Sequence, residues 1–200
     1  NLIKAAAIST DGKRAAIGTF NGTILIWDLE SGSLLSSIQA SNSPVRALAI
    51  SPDGAKLAAG SNDHIIRLFD IASAKEPGQL NGHTDAVVSL AYSPDGSRVL
   101  SAGVDTLVML WDIDKRALLQ KMSAHSDWVL NASFSTDGAR AISGSLDKSV
   151  RVWDLGSGAN ISTFKSINNG VWSISFSADG KTMLTGTDDR SIRVWPLPTW

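Results

Sequence analysis

A single spacing of 42 residues runs through the whole chain and limits what it can fold into more than any other feature. Three marks return at this step with no insertion or deletion. Asp-Gly pairs begin at Asp11, Asp53, Asp95, Asp137 and Asp179. Aromatic residues stand at Trp27, Phe69, Trp111, Trp153 and Trp195. Polar turn residues stand at Asn21, Asp63, Asp105, Asp147 and Asp189. Five copies in register predict a repeat protein built from one recurring unit.

One copy reads as short strands separated by tight turns, and the third copy shows this most clearly. It predicts four strands, at 87–92, 98–102, 107–111 and 118–122. Ser93-Pro94-Asp95-Gly96 is a turn because Pro and Gly supply the backbone angles that a tight turn needs. No apolar pattern with helical spacing is sustained, so the chain is predicted to be all-β. Four antiparallel strands in 42 residues are typical of one β-propeller blade.

The first strand of each copy has one face that carries only small residues. These are Ala5 and Ala7, Ala47 and Ala49, Ser89 and Ala91, Asn131 and Ser133, and Ser173 and Ser175. Successive side chains of a strand point to opposite faces, so the larger residues between them lie on the other side. Strands near a propeller axis are crowded, and the small face therefore places the first strands closest to the axis.

The composition excludes several classes of function. Net charge is −1 with no basic run, so we expect no direct nucleic-acid partner and no attraction to membranes. The chain contains no cysteine, and the spacing of its three histidines predicts neither a metal ion nor another cofactor. No stretch of about 18 apolar residues is present, so no membrane span is expected. We predict an intracellular protein, cytoplasmic and/or nuclear.

The repeat resembles that of the WD-repeat family over the whole chain. The dipeptide that names the family is present or degenerate in every copy, at Trp27-Asp28, Phe69-Asp70, Trp111-Asp112, Trp153-Asp154 and Trp195-Pro196. Gly82-His83 matches the family's Gly-His pair, and Ala124-His125 matches it in part. The resemblance implies a WD-repeat β-propeller with four full four-stranded blades and three strands of a fifth.

This resemblance also implies how the chain is divided. Residues 1–200 form one propeller segment with blades at about 1–40, 43–82, 85–124, 127–166 and 169–200. Because seven blades are usual in the family, we interpret the segment as the C-terminal part of a seven-bladed propeller. A free-standing five-bladed form or an assembly of fragments is the alternative. The open terminal blade is expected to pair with a missing N-terminal strand or with another chain.

Two sets of residues contain the chemical types of a hydrolytic triad. They are His83, Ser101 and Asp105, and His125, Ser143 and Asp147. With Trp111 and Trp153 they resemble the family's buried tetrad, in which Asp holds His, His holds Ser or Thr, and that hydroxyl reaches the Trp indole. We therefore interpret both sets as structural, with no catalytic residues, because one active site needs no second copy.

In the other copies the tetrad is incomplete, because other residues occupy some of its positions. The fourth-strand histidine position is Ser41 or Ile167, and the Ser/Thr position is Ile17, Ala59 or Thr185. The remaining histidine, His64, follows Asp63 in a turn and is interpreted as a solvated turn residue.

The family binds partners on the propeller face at the start of the first strands and just before the turn Asp. Mapped onto this chain, that face has two groups of positions. The strand-start positions are Pro44, Arg46, Ala86, Val88, Trp128, Leu130, Gly170 and Trp172; the turn positions are Phe20, Asn62, Val104, Leu146 and Asp188.

The repeat does not explain Trp128 and Trp172, and Trp and Arg are frequent interface anchors. We predict a protein-binding face of Trp128, Trp172, Arg46, Leu130, Leu146 and Phe20. The alternative is that these residues only cover the ends of apolar strands.

A narrower resemblance is to the WD-repeat subunit of the Ski (superkiller) RNA-decay complex, whose animal form also serves the polymerase-associated factor complex. It is carried by residues 126–131, residues 145–154 and Val171-Trp172. Thr136-Asp137 and residues 196–198 do not match it.

We therefore predict a non-catalytic scaffold or adaptor in a multi-subunit complex related to RNA decay or transcription, which binds peptides or helical-repeat subunits. A hydrolase using a His/Ser/Asp set, a ubiquitin-ligase or signalling substrate receptor, and a nucleic-acid binder are the alternatives.

Overall fold

A computed structural model describes residues 2–76, 78–165, 169–177 and 179–197. These residues form nineteen β-strands and turns, and none of them belongs to a helix that could cross a membrane. The strands are β1 (Ile3–Ile8), β2 (Arg14–Thr19), β3 (Thr23–Asp28), β4 (Ser33–Gln39), β5 (Val45–Ile50), β6 (Lys56–Ser61), β7 (Ile66–Asp70), β8 (Gly78–Leu80), β9 (Val87–Tyr92), β10 (Arg98–Gly103), β11 (Val108–Asp112), β12 (Ala117–Met122), β13 (Val129–Phe134), β14 (Arg140–Ser145), β15 (Ser149–Asp154), β16 (Asn160–Lys165), β17 (Val171–Phe176), β18 (Thr182–Thr187) and β19 (Ile192–Pro196).

Consecutive strands pair antiparallel into five sheets, which we number 1 to 5 along the chain. Sheets 1 to 4 contain β1–β4, β5–β8, β9–β12 and β13–β16, and the described part of sheet 5 contains β17–β19. The prediction of four four-stranded blades and three strands of a fifth is confirmed. The strands predicted for the third copy differ from β9–β12 by at most one residue at either end.

The first strands of neighbouring sheets pack against one another: β1 on β5, β5 on β9, β9 on β13, and β13 on β17. Their small side chains allow this close approach. In one place the contact is polar, because the backbone N–H of Ala132 in β13 donates to the Ser89 hydroxyl in β9 at 3.0 Å. A larger residue at Ser89 would both lose this bond and crowd the neighbouring strand.

Sheets 1 to 4 each bury the apolar face of their third strand against the next sheet. Ile24 of sheet 1 shares a core with Leu57 and Phe69 of sheet 2, and the same arrangement recurs between each later pair of sheets. Four equivalent third-strand residues are at most 1% exposed: Ile24, Ile66, Val108 and Val150. In sheet 5 the equivalent residue, Ile192, is 76% exposed. A sheet of this repeat is therefore stabilised mainly by its neighbours.

The Asp-Gly turn between the first and second strands closes on its own side chains. In sheet 2 the Ser51 hydroxyl donates to Asp53 at 2.5 Å, and the same carboxylate accepts from the Ala55 backbone at 3.0 Å. In sheet 3 the equivalent bond from the Ser93 hydroxyl, with a second from the Ser97 backbone, lowers the pKa of Asp95 to about 2. Each turn is thus a local structure that the sequence can specify without help from distant residues.

The turn between the second and third strands requires a left-handed residue in every sheet. Positive φ occurs at Gly22, His64, Thr106, Lys148 and Arg190, which are all 42 residues apart. In sheet 4 the preceding Asp147 carboxylate accepts from the Ser149 backbone at 2.9 Å, which fixes this conformation. Only sheet 1 has glycine there. A Cβ on Gly22 would lie 1.9 Å from the carbonyl oxygen of Ser41, which no side chain can accommodate.

We expect Gly22→Ala to lower the free energy of unfolding by about 3 kcal/mol, through backbone strain together with a backbone clash. Gly32→Ala is the matched control because Gly32 also has positive φ, at 68°, but has open space around its Cβ position. It should lose only about 1 kcal/mol. Urea denaturation of both variants measures the difference. Equal losses would mean that the chain shifts to relieve the clash with Ser41.

Candidate protein-interaction face and buried polar tetrads

The upper face is the surface formed by the starts of the five first strands and by the residue before each second-turn Asn or Asp. One backbone hydrogen bond joins these two positions in every sheet. The N–H of Leu146 donates to the carbonyl of Trp128 at 3.0 Å. The other pairs are Phe20 with Leu2, Asn62 with Pro44, Val104 with Ala86, and Asp188 with Gly170. The repeat itself therefore places both positions side by side.

A β-bulge lies at the start of every first strand, where the register of pairing shifts by one residue. In sheet 4, for example, Val129 pairs with Ser145 and Asn131 with Gly144, which leaves Leu130 without a partner. A bulge redirects a side chain that regular pairing would fix. The residues skipped in the five sheets are Lys4, Arg46, Val88, Leu130 and Trp172.

Trp128 and Trp172 lie on the upper face of the neighbouring sheets 4 and 5, and Leu146 and Gly170 link the two positions. Trp128 is bonded to Leu146, and a Cβ on Gly170 would lie 2.7 Å from the Leu146 side chain, so Leu146 covers Gly170. The Asp188 carboxylate accepts from the Gly170 backbone and from the Trp172 indole N–H. The two tryptophans are nevertheless 47% and 55% exposed. Trp128 and Trp172 are therefore supported by neighbouring residues of the upper face and open to solvent.

The other residues predicted for this face lie on the same surface at different sheets. Leu130 is half-buried at the bulge of β13, Arg46 is exposed on sheet 2, and Phe20 is exposed on sheet 1. The Lys4 ammonium lies 5.6 Å from the centre of the Phe20 ring, within range of a cation–π contact. The sequence interpretation overlooked Lys4, although its position 42 residues before Arg46 could have revealed it.

Two buried tetrads lie in sheets 3 and 4. In sheet 4, His125 Nδ1 is 2.7 Å from Asp147, its Nε2 is 2.7 Å from the Ser143 hydroxyl, and the Trp153 indole donates to that hydroxyl at 2.8 Å. Sheet 3 repeats these contacts within 0.1 Å with His83, Asp105, Ser101 and Trp111. The histidines lie in the connection after the fourth strand, not in that strand as predicted.

Burial decides what this geometry can do. The Ser101 and Ser143 side chains have no exposed surface, and each hydroxyl is already engaged by a histidine and a tryptophan. A serine nucleophile needs a path to its substrate and a free lone pair for attack. The arrangement instead satisfies four polar side chains inside a sheet, where an unpaired group would be costly.

The sheets, the repeated turns and the tetrads agree with a comparison of the chain with known families. The family model described as the WDR3 first beta-propeller domain matches residues 3–197. The chain belongs to this WD-repeat β-propeller family. No curated protein matches it. The match supports the wider WD-repeat resemblance, while the narrower resemblance to the Ski subunit is not confirmed by it.

Where the WD-repeat propeller lacks the tetrad histidine, an arginine replaces it as the partner of the turn aspartate. Arg67 in sheet 2 forms an ion pair with Asp63 at 2.8 Å, and Arg193 in sheet 5 pairs with Asp189 at 2.8 Å. Ser41, which stands at the histidine position, also donates to Asp63. Ile167, the equivalent residue in sheet 5, lies outside the described residues. The sequence interpretation overlooked both arginines, although each stands four residues after its aspartate.

Sheet 4 contains the tetrad histidine, His125, and also an arginine, Arg151. This arginine stands at the third-strand position that Arg67 occupies in sheet 2. Burial lowers the pKa of His125 below its ordinary value, against the raising effect of Asp147, and the Arg151 charge lowers it further. Burial alone would raise the pKa of Asp147, but hydrogen bonds from Ser149 and His125 hold it below the usual range. The lowered pKa favours the neutral imidazole at neutral pH, in the tautomer whose Nδ1–H donates to Asp147 and whose Nε2 accepts from Ser143.

We expect Ser143→Ala to lower the free energy of unfolding by about 2 kcal/mol, because it leaves His125 and the Trp153 indole without their shared partner. Ser123→Ala, at an exposed position outside the strands, is the control and should change stability by less than about 0.5 kcal/mol. Urea unfolding followed by tryptophan fluorescence measures both. If the two variants lose the same stability, the tetrad hydrogen bonds contribute nothing net.

The lowered pKa of His125 predicts a pH dependence of stability. The unfolded chain takes up a proton near pH 6.5 that the folded chain takes up only at lower pH, so unfolding becomes easier as pH falls from about 7.5 to about 5. His125→Gln should reduce this slope. Arg151→Met, which reproduces the Met109 found in sheet 3, should reduce it less. Denaturation midpoints across this range test the order, and an unchanged slope in His125→Gln would contradict it.

Proposed function

We propose that the chain is a non-catalytic scaffold that binds partner proteins through its upper face. WD-repeat propellers generally act as protein-interaction scaffolds. One observation carries the proposal: Trp128 and Trp172 are large, exposed and on the same face of neighbouring sheets, at positions that the repeat fills with other residues elsewhere. Exposed aromatic side chains held on a rigid frame are efficient interface anchors, because few rotamers are lost on binding. Leu130 and Leu146 lie on sheet 4 with Trp128, and Phe20 and Arg46 extend the same face across sheets 1 and 2.

The class of partner follows from the charge and shape of this face. A net charge of −1 gives no general attraction to phosphate backbones, which supports a protein rather than a nucleic-acid partner. Peptides and helical-repeat subunits both suit a rigid surface with apolar anchors. A cysteine-free chain is consistent with an intracellular setting, cytoplasmic and/or nuclear. The family match does not distinguish between the finer roles. Membership of a complex for RNA decay or transcription stays a prediction, and so does a role as a ubiquitin-ligase or signalling receptor.

A second interaction surface is supported at the terminal sheet. The third-strand residues Ile192 and Val194 are exposed on sheet 5, whereas their equivalents in sheets 1 to 4 are buried. Exposed apolar faces of this kind favour association. We propose that another sheet or strand, either from the N-terminal side of a longer propeller or from another chain, covers this surface. A hydrolase function receives no such support, because both candidate serines are buried.

We expect the double variant Trp128→Ala/Trp172→Ala to reduce the amount of co-purifying partner protein at least tenfold, because each tryptophan contributes about 2 kcal/mol or more to binding. The measurement is affinity purification of the tagged chain from cells, followed by quantitative mass spectrometry.

The matched control is Leu35→Ala/Leu119→Ala, which removes side chains that are 51% and 43% exposed on fourth strands, away from the upper face. It should retain the partners. Circular dichroism and thermal unfolding check that both double variants remain folded. If the tryptophan variant retains every partner, the proposal is wrong.

A further inference from the structure

The five bulge residues on the upper face are not chemically alike. Lys4 and Arg46, in sheets 1 and 2, are basic, whereas Val88, Leu130 and Trp172, in sheets 3 to 5, are apolar. Because neighbouring first strands pack side by side, the same position in successive sheets forms one curved row. The face therefore changes from cationic to apolar along a single direction.

The cations of sheets 1 and 2 are not neutralised by nearby carboxylates. No ion pair is found for Lys4 or Arg46 among the described residues, and the contact of Lys4 with the Phe20 ring leaves its charge in place. The acidic residue of the second turn in sheet 2, Asp63, is already paired with Arg67 at 2.8 Å. The equivalent turn residue in sheet 1 is the neutral Asn21. This end of the face therefore retains a net positive charge.

The apolar end of the row, in sheets 3 to 5, lies beside carboxylates. Asp85 and Asp127 precede the first strands of sheets 3 and 4, where each accepts from the backbone N–H of the next residue. Asp188 adds a third carboxylate beneath Trp172. Lys148 and Arg190 stand in the second turns of sheets 4 and 5, but among the described residues neither forms an ion pair with these three carboxylates. A negative group on a partner is thus attracted to sheets 1 and 2 and not to sheets 3 to 5, which sets its direction.

We propose that the upper face binds an extended partner segment with acidic residues at one end and large apolar residues at the other. The carboxylates contact Lys4 and Arg46, and the apolar side chains contact Leu130, Trp128 and Trp172. The Cα atoms of neighbouring first strands approach within 8 Å, so Arg46 of sheet 2 and Leu130 of sheet 4 are separated by at most about 16 Å, or about five residues of extended chain. This inference rests on the proposed function and adds the chemistry and polarity of the partner.

The probe is a phage-displayed library of random 12-residue peptides selected on the immobilised chain. The expected peptides carry Asp or Glu about five positions from Trp, Phe or Leu. A selected peptide should bind at least tenfold more weakly to Lys4→Glu/Arg46→Glu and to Trp128→Ala, measured by fluorescence polarisation. The charge-matched control Lys121→Glu/Lys165→Glu changes exposed lysines on fourth strands and should alter binding less than twofold.

The variants separate failure of this inference from failure of the proposed function. If Trp128→Ala abolishes binding while Lys4→Glu/Arg46→Glu does not, the face binds peptides but not through an acidic end, and the inference is overturned. If the selected peptides bind Trp128→Ala as well as the unaltered chain, they dock elsewhere and the proposed function falls too. Loss of binding in both variants with the lysine control unaffected supports both. Circular dichroism confirms that each variant is folded.

Discussion

Packing of one sheet on the next is the constraint on which the rest of this propeller depends. A single four-stranded sheet of this repeat has apolar residues on both faces, and each face is buried only by a neighbouring sheet, as Ile24 is by Phe69. The inner strands must approach closely for this to happen, which is why residues such as Ala47 and Ser89 are small. Stability is then largely a sum over sheet interfaces, as in other repeat proteins, and the outermost faces remain unsatisfied.

Polar residues inside the sheets follow from the same burial. The turn aspartate must accept hydrogen bonds from its own turn, yet its carboxylate lies partly inside the sheet and needs a second partner. Sheets 3 and 4 supply a histidine for Asp105 and Asp147, whereas sheets 2 and 5 supply an arginine for Asp63 and Asp189. The two solutions are equivalent for the aspartate. They differ for the tetrad tryptophan, because only the histidine also holds the serine that accepts from the indole. In sheet 5 the Trp195 indole instead reaches Thr185 at 2.9 Å, without a described histidine.

The sequence predicts most of the fold because its information is local and repeated. The Ser-x-Asp-Gly turn closes within a few residues, so the ends of strands such as β9 could be placed to within one residue. The residues of the tetrads could be named because two copies of the repeat match the tetrad of the WD-repeat family at the repeat spacing. The ion pair of Arg67 with Asp63 was not predicted, because the four-residue spacing shows a contact only once the turn folds the third strand back beside the aspartate. The bulge at Lys4 escaped for a related reason: pairing register is set between strands and leaves no mark in one strand's pattern.

The bulges explain how one repeat can be both rigid and variable. In a regularly paired first strand, each side chain lies either on the crowded face of small residues or on the face that packs between sheets. The skipped residue lies outside this regular pairing, so the fold constrains its identity less, and it is basic in sheets 1 and 2 and apolar in sheets 3 to 5. The residue two positions before it is nevertheless held by the same backbone hydrogen bond in every sheet. A surface whose backbone geometry is constant while its side chains vary can acquire specificity for a partner with little loss of stability, and in this chain that variation gives the bulge row one basic end and one apolar end.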